Sequence, residues 1–238
     1  MRLELDSHCH TIASGHAYST VTENAAAAAK KGLALIAITD HAPAMPGAFG
    51  YLHFVNLRVI PNFIHGVEIL KGVELSVLGA NGDVDLPENI LKKMEVVIAS
   101  LHTVCFEPSD WQSHTMAIIN AMKNPYVKIL GHPGDPRYPF DVDAAVNAAA
   151  DYGVAIEMND SSLTPGSARG GDRKMMRDIL LACAKKNVNV TLGSDAHYMD
   201  DIGRFNHVEQ LIEEVKFPKE LILNYSVEKF KKTICPKI

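Results

Sequence analysis

Seven short apolar runs rich in β-branched residues recur along the chain, with helix-patterned stretches between them. This alternation restricts the fold more than any other feature. The runs lie at 2–7, 34–39, 67–78, 95–101, 126–131, 153–158 and 188–193, and their length and composition predict strands. Helices are expected over 20–32, 54–64, 113–123, 141–151 and 172–186, with a helix from about 206, an apolar LILN run at 221–224 and a last short helix. The first is the clearest: Thr20-Val-Thr-Glu23 forms a capping box, an alanine run follows, and Gly32 supplies the stop. Strands alternating with helices imply parallel βα units. No linker rich in proline, glycine or serine divides the 238 residues, and no repeat is present. A single α/β barrel-like domain spanning 1–238 is therefore expected, with an open doubly wound sheet as the alternative; the length is ample for a sizeable core.

The ends of the runs carry the chemistry. Asp6-x-His8-x-His10 ends the first and Thr39-Asp40-His41 the second; Glu74 lies on the third; His102 and His132 follow the fourth and fifth; Ser194-Asp195-Ala196-His197 follows the seventh. In parallel barrels the carboxyl ends of the strands are where active sites are built. Residues two apart in an extended chain point the same way, so His8 and His10 can converge while Cys9 points away. Imidazole nitrogen and carboxylate oxygen together suit zinc, manganese or iron. The donors are too numerous for one tetrahedral ion and sufficient for two or three sharing a carboxylate.

Composition narrows the class. The formal net charge of −5 disfavours nucleic-acid binding through a broad basic face. No basic region followed by an apolar stretch opens the chain, and no run of 18 apolar residues occurs, so neither a signal peptide nor a membrane span is expected. Cys9, Cys105, Cys183 and Cys235 lie far apart without CxxC spacing, which fits reduced thiols and a cytoplasmic location. The glycines at 131, 134, 170 and 171 lack the Lys-Ser/Thr element of a P-loop, and no serine or cysteine sits in a nucleophile elbow.

Together the motifs HxH, TDH and GSDxH, a mid-chain glutamate and two isolated histidines resemble those of the PHP (polymerase and histidinol phosphatase) superfamily. The segments HAYST (16–20), AITDH (37–41), HFVNLR (53–58), GVEILKGVE (66–74), HPGDPRY (132–138) and LGSDAH (192–197) are similar to its YcdX-like phosphatases. The resemblance runs from the first strand to the last helix. It implies a distorted (βα)7 TIM-like barrel holding three divalent metal ions, with zinc expected and manganese or iron as alternatives. It implies that His8 and His10 hold the first ion with Glu74 and Asp195, that Glu74 bridges to a second held by His102 and His132, and that His16, His41 and His197 hold the third. Glu68 competes with Glu74 on the same run; Glu74 follows the Lys-Gly-Val step as the family's bridging acid does.

The expected activity is that of a metal-dependent phosphoesterase, with Asp195 orienting the attacking water or taking its proton and Glu74 holding two ions in one geometry. Arg137 and Arg169, on loops at the mouth, are candidate contacts to a small phosphorylated substrate, and His53 could also reach the mouth. Asp40 and Asp6 are candidate acceptors for ligating imidazoles or helix caps. Glu157 is an inward acid or a core-edge group and stays unassigned. His65, His114 and His207 fall on expected helices or their ends and are read as structural. A nuclease or amidohydrolase-like hydrolase and a non-catalytic metal-binding protein are the rivals. A homo-oligomer is compatible with the resemblance.

Overall fold

The computed structural model describes residues 2–235; the expected domain range of 1–238 runs past these at both ends. Seven strands form one parallel sheet in the order β1 (Leu5–Cys9), β2 (Leu35–Ile38), β4 (Val67–Ser76), β5 (Val96–Ser100), β6 (Ile129–Leu130), β7 (Ala155–Asn159) and β8 (Val190–Gly193), and β3 (Phe63–Ile64) pairs antiparallel with β4. The helices between them are α1 (Val21–Lys31), α2 (Tyr51–Asn56), α3 (Glu88–Leu91), α4 (Trp111–Met122), α5 (Val142–Tyr152), α6 (Asp160–Leu163), α7 (Arg173–Lys186), α8 (Asn206–Val215) and α9 (Val227–Ile234). This is the expected distorted barrel.

Local chemistry sets the boundaries. The Thr20/Glu23 capping box starts α1 and Gly32, at φ +71°, ends it. Asp141 and Asp172 cap α5 and α7 through their carboxylates. The expected helix over 54–64 is a correction: only α2 and a 3₁₀ turn at Leu57–Val59 form. Pro61 blocks continuation, and His65 and Gly66, both at positive φ, make the tight hairpin turn between β3 and β4. His65 therefore sits on a turn rather than on a helix. The loop expected over 160–172 opens with the single-turn α6, whose cap is the Asn159 side chain.

The barrel interior is lined by Leu5, Leu35, Ala37, Leu70, Val96, Ile98, Ile129 and Ala155, and Leu223, Phe230 and Ile234 at the end of the chain pack against the same cluster. A larger apolar layer joins the outer strand faces to α4, α5, α7 and α8. Side chains stitch β1 to β8. Asn224 donates to the carbonyls of Leu5 (3.0 Å) and Leu192 (2.8 Å) and accepts from Leu192 N–H (2.7 Å). Asp6 accepts from Ser194 N–H (3.0 Å) and Gly203 N–H (2.8 Å). Above them the backbone closes the ring, Asp195 N–H donating to His8 O and His10 N–H to Ala196 O, both at 2.9 Å. Asp6 thus bonds to the seam backbone instead of to an imidazole.

Candidate metal centre

The strand ends bring the predicted donors together. His8 is the fourth residue of β1, His10 follows that strand, and their Nε2 atoms lie 3.1 Å apart; Cys9 turns away to the Ala37 carbonyl. Glu74 is fully buried at the centre. Its Oε2 lies 2.8 Å from His41 Nδ1, 3.4 Å from His8 Nε2 and 3.5 Å from His10 Nε2. Its Oε1 lies 2.8 Å from His132 Nε2 and 3.2 Å from His102 Nε2. Each oxygen of one carboxylate therefore faces a different set of imidazoles. Glu68, by contrast, lies at the opposite end of β4, its second residue, and pairs with Lys231. Asp195 approaches His10 Nε2 at 3.1 Å, and the His16 ring lies 5.0 Å from His41 and 4.8 Å from His197. Asp195 (φ +54°) and His132 (φ +26°) adopt the left-handed conformation, which costs a non-glycine residue about 1–3 kcal/mol. Such strain concentrates where a side chain must be aimed.

Outer partners fix the imidazoles. Glu157 Oε1 lies 2.7 Å from His8 Nδ1, and its Oε2 accepts from His132 N–H at 2.7 Å. Ser14 Oγ donates to Asp40 Oδ1 at 2.7 Å, so His10 Nδ1, 2.9 Å from that oxygen, must be the donor. Ser76 Oγ stands 3.1 Å from His102 Nδ1, and the Asp195 carbonyl accepts from His197 Nδ1 at 2.9 Å. In all four rings Nδ1 is engaged and Nε2 is left for the centre. Asp40 acts on His10 through Ser14, and His53 reaches Asp40 (3.3 Å) rather than the cluster. Glu157, left unassigned from the sequence, joins the cluster as a buried partner of His8 and His132; a carboxylate at the end of a buried strand was the available signal.

Electrostatics agree with a cation site. Burial opposes ionisation of Glu74, but His41, His8 and His102 hold its carboxyl well below the usual range. Burial likewise opposes the charged form of Asp195, and Arg169 and His8 outweigh it. His10 is held well below the ordinary imidazole value by burial and by His197 and His41, which keeps it neutral and able to ligate.

The donors fit divalent metals. His41 Nδ1, Glu74 Oε2 and His102 Nε2 are buried close to one another but without a partner in hydrogen-bonding alignment, and an orphaned buried polar group is costly. Three sets have mutually close donor atoms: His8, His10 and Glu74; His41, Glu74 and His102; His10, His41 and His197. His16, His132 and Asp195 border these sets. Arg169 pairs with Asp195 and donates to Ser162 Oγ. Arg137 is gripped by Asp135, with Nη2 2.6 Å from the carboxylate. His114 is buried, with Nδ1 2.9 Å from the Pro139 carbonyl, and His207 pairs with Asp160 at the start of α8.

The model of the PHP domain matches residues 6–234. The chain belongs to the PHP family. Among curated PHP relatives, a probable phosphatase of Caldanaerobacter subterraneus subsp. tengcongensis is 52% identical over all of this chain and 93% of its own length. A probable phosphatase of Acetivibrio thermocellus is 46% identical, covering 97% of this chain and 94% of that protein. Among solved structures, the histidinol phosphate phosphatase of Lactococcus lactis, complexed with zinc, L-histidinol and phosphate, superposes with a TM-score of 0.63 at 18% identity, over 90% of this chain and 94% of that one. That likeness shows a shared barrel fold. No helix among the described residues is long and apolar enough to cross a membrane.

Proposed function

We propose that the protein is a metal-dependent phosphomonoesterase acting on a small phosphorylated substrate at a centre of three divalent ions, zinc foremost. The observation that carries this reading is the buried Glu74 carboxylate, with His132 and His102 on one oxygen and His41, His8 and His10 on the other. His8, His10, Glu74 and Asp195 would hold the first ion, Glu74, His102 and His132 the second, and His16, His41 and His197 the third. The relatives named probable phosphatases support the activity, and the zinc in the Lactococcus enzyme supports the metal. The four unpaired thiols support a reducing, cytoplasmic setting.

When bound, such ions supply Lewis acidity and make water a nucleophile near neutral pH. The chain's residues do the rest. Asp195 orients the attacking water or takes its proton. Arg169, which rests on Asp195, turns to the phosphoryl oxygens when substrate enters, and Arg137 adds a second cation at the mouth. Glu157, Ser14 and Ser76 keep the imidazoles aimed.

Elemental mass spectrometry on protein purified without chelator, coupled to phosphate release from mono- and diesters, tests the proposal. Two to three equivalents of metal and preferential monoester turnover are expected. Less than half an equivalent, not restored by added metal, would sink it, and diester-selective turnover would point to a nuclease. Glu74→Gln should lose both metal and more than about 100-fold in kcat/KM, beyond the usual cost of an outer-sphere change.

A further inference from the structure

Lys71 stands on β4 three residues before Glu74, and side chains at odd spacing along a strand take opposite faces. Leu70 joins the barrel interior, whereas Val73 and Leu75 join the outer layer, so Lys71 points outward, away from the metal centre. It is only 9% exposed. Among the described residues its ammonium donates to the Asn62 side-chain oxygen and to no carboxylate. Glu95 accepts from the Lys71 backbone N–H instead, at 2.8 Å. Burying an ammonium is costly unless an opposite charge or a full set of acceptors meets it, and one neutral amide does not.

The Lys71 side chain lines a recess of about 360 Å³ between the α2–Val59 segment and the turn before β5. That volume lies within the range of small-molecule sites, about 300–1,000 Å³. Arg58 and Lys93, both exposed, line it too, and Glu95 is its one acid. Neither Arg58 nor Lys93 belongs to an ion pair among the described residues. Three cations against one carboxylate leave an excess that suits a dianionic phosphoryl head better than a single carboxylate. Phe54, Leu57 and Met94 add apolar walls. We infer that this recess is a second anion site, separate from the metal centre, for a tetrahedral oxyanion: free phosphate or the phosphoryl group of a small organic ester. Arg58 forks onto two of its oxygens, and Lys71 and Lys93 meet the others as point charges. The site goes beyond the phosphatase reading and does not depend on it.

The test titrates inorganic phosphate and, separately, phenylphosphonate into the zinc-loaded, nitrogen-15-labelled full chain. The carbon–phosphorus bond of the second probe is not an ester and survives the metal centre. Amide resonances of Leu57–Ile60 and Lys93–Glu95 should shift along a saturable curve that sodium chloride at equal ionic strength does not reproduce. Arg58→Gln and Lys71→Met should each weaken the affinity read there by about tenfold or more. Both should leave zinc content and the response of the metal-centre resonances to phosphate unchanged. Lys71→Met exchanges a buried charge for an apolar chain and should not lower the urea midpoint; if it fails to fold, Arg58→Gln at its exposed position decides alone. Tighter binding of phenylphosphonate assigns the organic ester, and equal affinities assign free phosphate. No saturable shift at these resonances with either probe, or unaltered affinity in the folded variants, overturns the inference.

Discussion

Residue identity matters most where one side chain fixes another. Glu157 engages His8 Nδ1 and the His132 backbone with separate oxygens, so it sets two of the proposed ligands at once. Glu157→Gln should cost about 10–100-fold in metal affinity, read by titration with a competing chelator; affinity equal to the unaltered protein would show that the contact does not orient the ring. Gly193 belongs to the same arrangement, because a Cβ there would lie 1.9 Å from Glu157 Oε1 and 2.7 Å from His8 Cβ. Asp40 makes a separate prediction. Burial opposes its charge, yet His53 Nε2 3.3 Å away and bonds from Thr11 and Ser14 hold its pKa down at about 2 against an ordinary 3.8. A depressed carboxyl contributes stability above its unfolded value and loses it as the pH falls towards the folded value. The window is thus about pH 4 down to pH 2, and the contribution at neutral pH is about 2 kcal/mol. Chelated Asp40→Asn protein should unfold at lower urea at pH 7 and show a flatter acid limb.

Elements depend on contacts that are distant along the chain. Asn224, just before α9, bonds the backbone of both β1 and β8. Asn224→Ala would leave the Leu5 carbonyl and the Leu192 amide unpaired at about 1–3 kcal/mol each, so a loss of at least about 2 kcal/mol in urea unfolding is expected. The parallel strands were legible because each β-branched run is bounded by turn residues, and the clustering of imidazoles and acids at their ends was legible because His8, His41 and Asp195 stand at those boundaries. The β3–β4 hairpin was hidden by helix-compatible spacing over 54–64. Glu157 was hidden differently: its partner lies 149 residues away, and no local pattern encodes that contact. Asn224, in an apolar run, gave no sign of its place in the seam for the same reason.

At the scale of the whole molecule, the buried acids and imidazoles burden the fold until cations neutralise them. Ions bound only by the native state add stability by mass action, about 2.7 kcal/mol at a hundredfold excess over the dissociation constant. For a chain of this size that corresponds to roughly 5–10 °C. Chelator should lower the calorimetric midpoint by that amount and added zinc restore it; an unchanged midpoint would mean that the donors do not bind metal in the folded protein.

The stitching of β1 to β8 also has a consequence for synthesis. His8 and His10 leave the ribosome long before Asp195, His197 and Asn224. The nascent chain therefore carries those imidazoles without their later partners, with the first strand lacking one neighbour, until the 190–224 segment emerges. Closure of the ring and assembly of the donor set both wait for that segment. A ribosome-stalled chain ending before Asn224 should remain sensitive to protease even in saturating zinc.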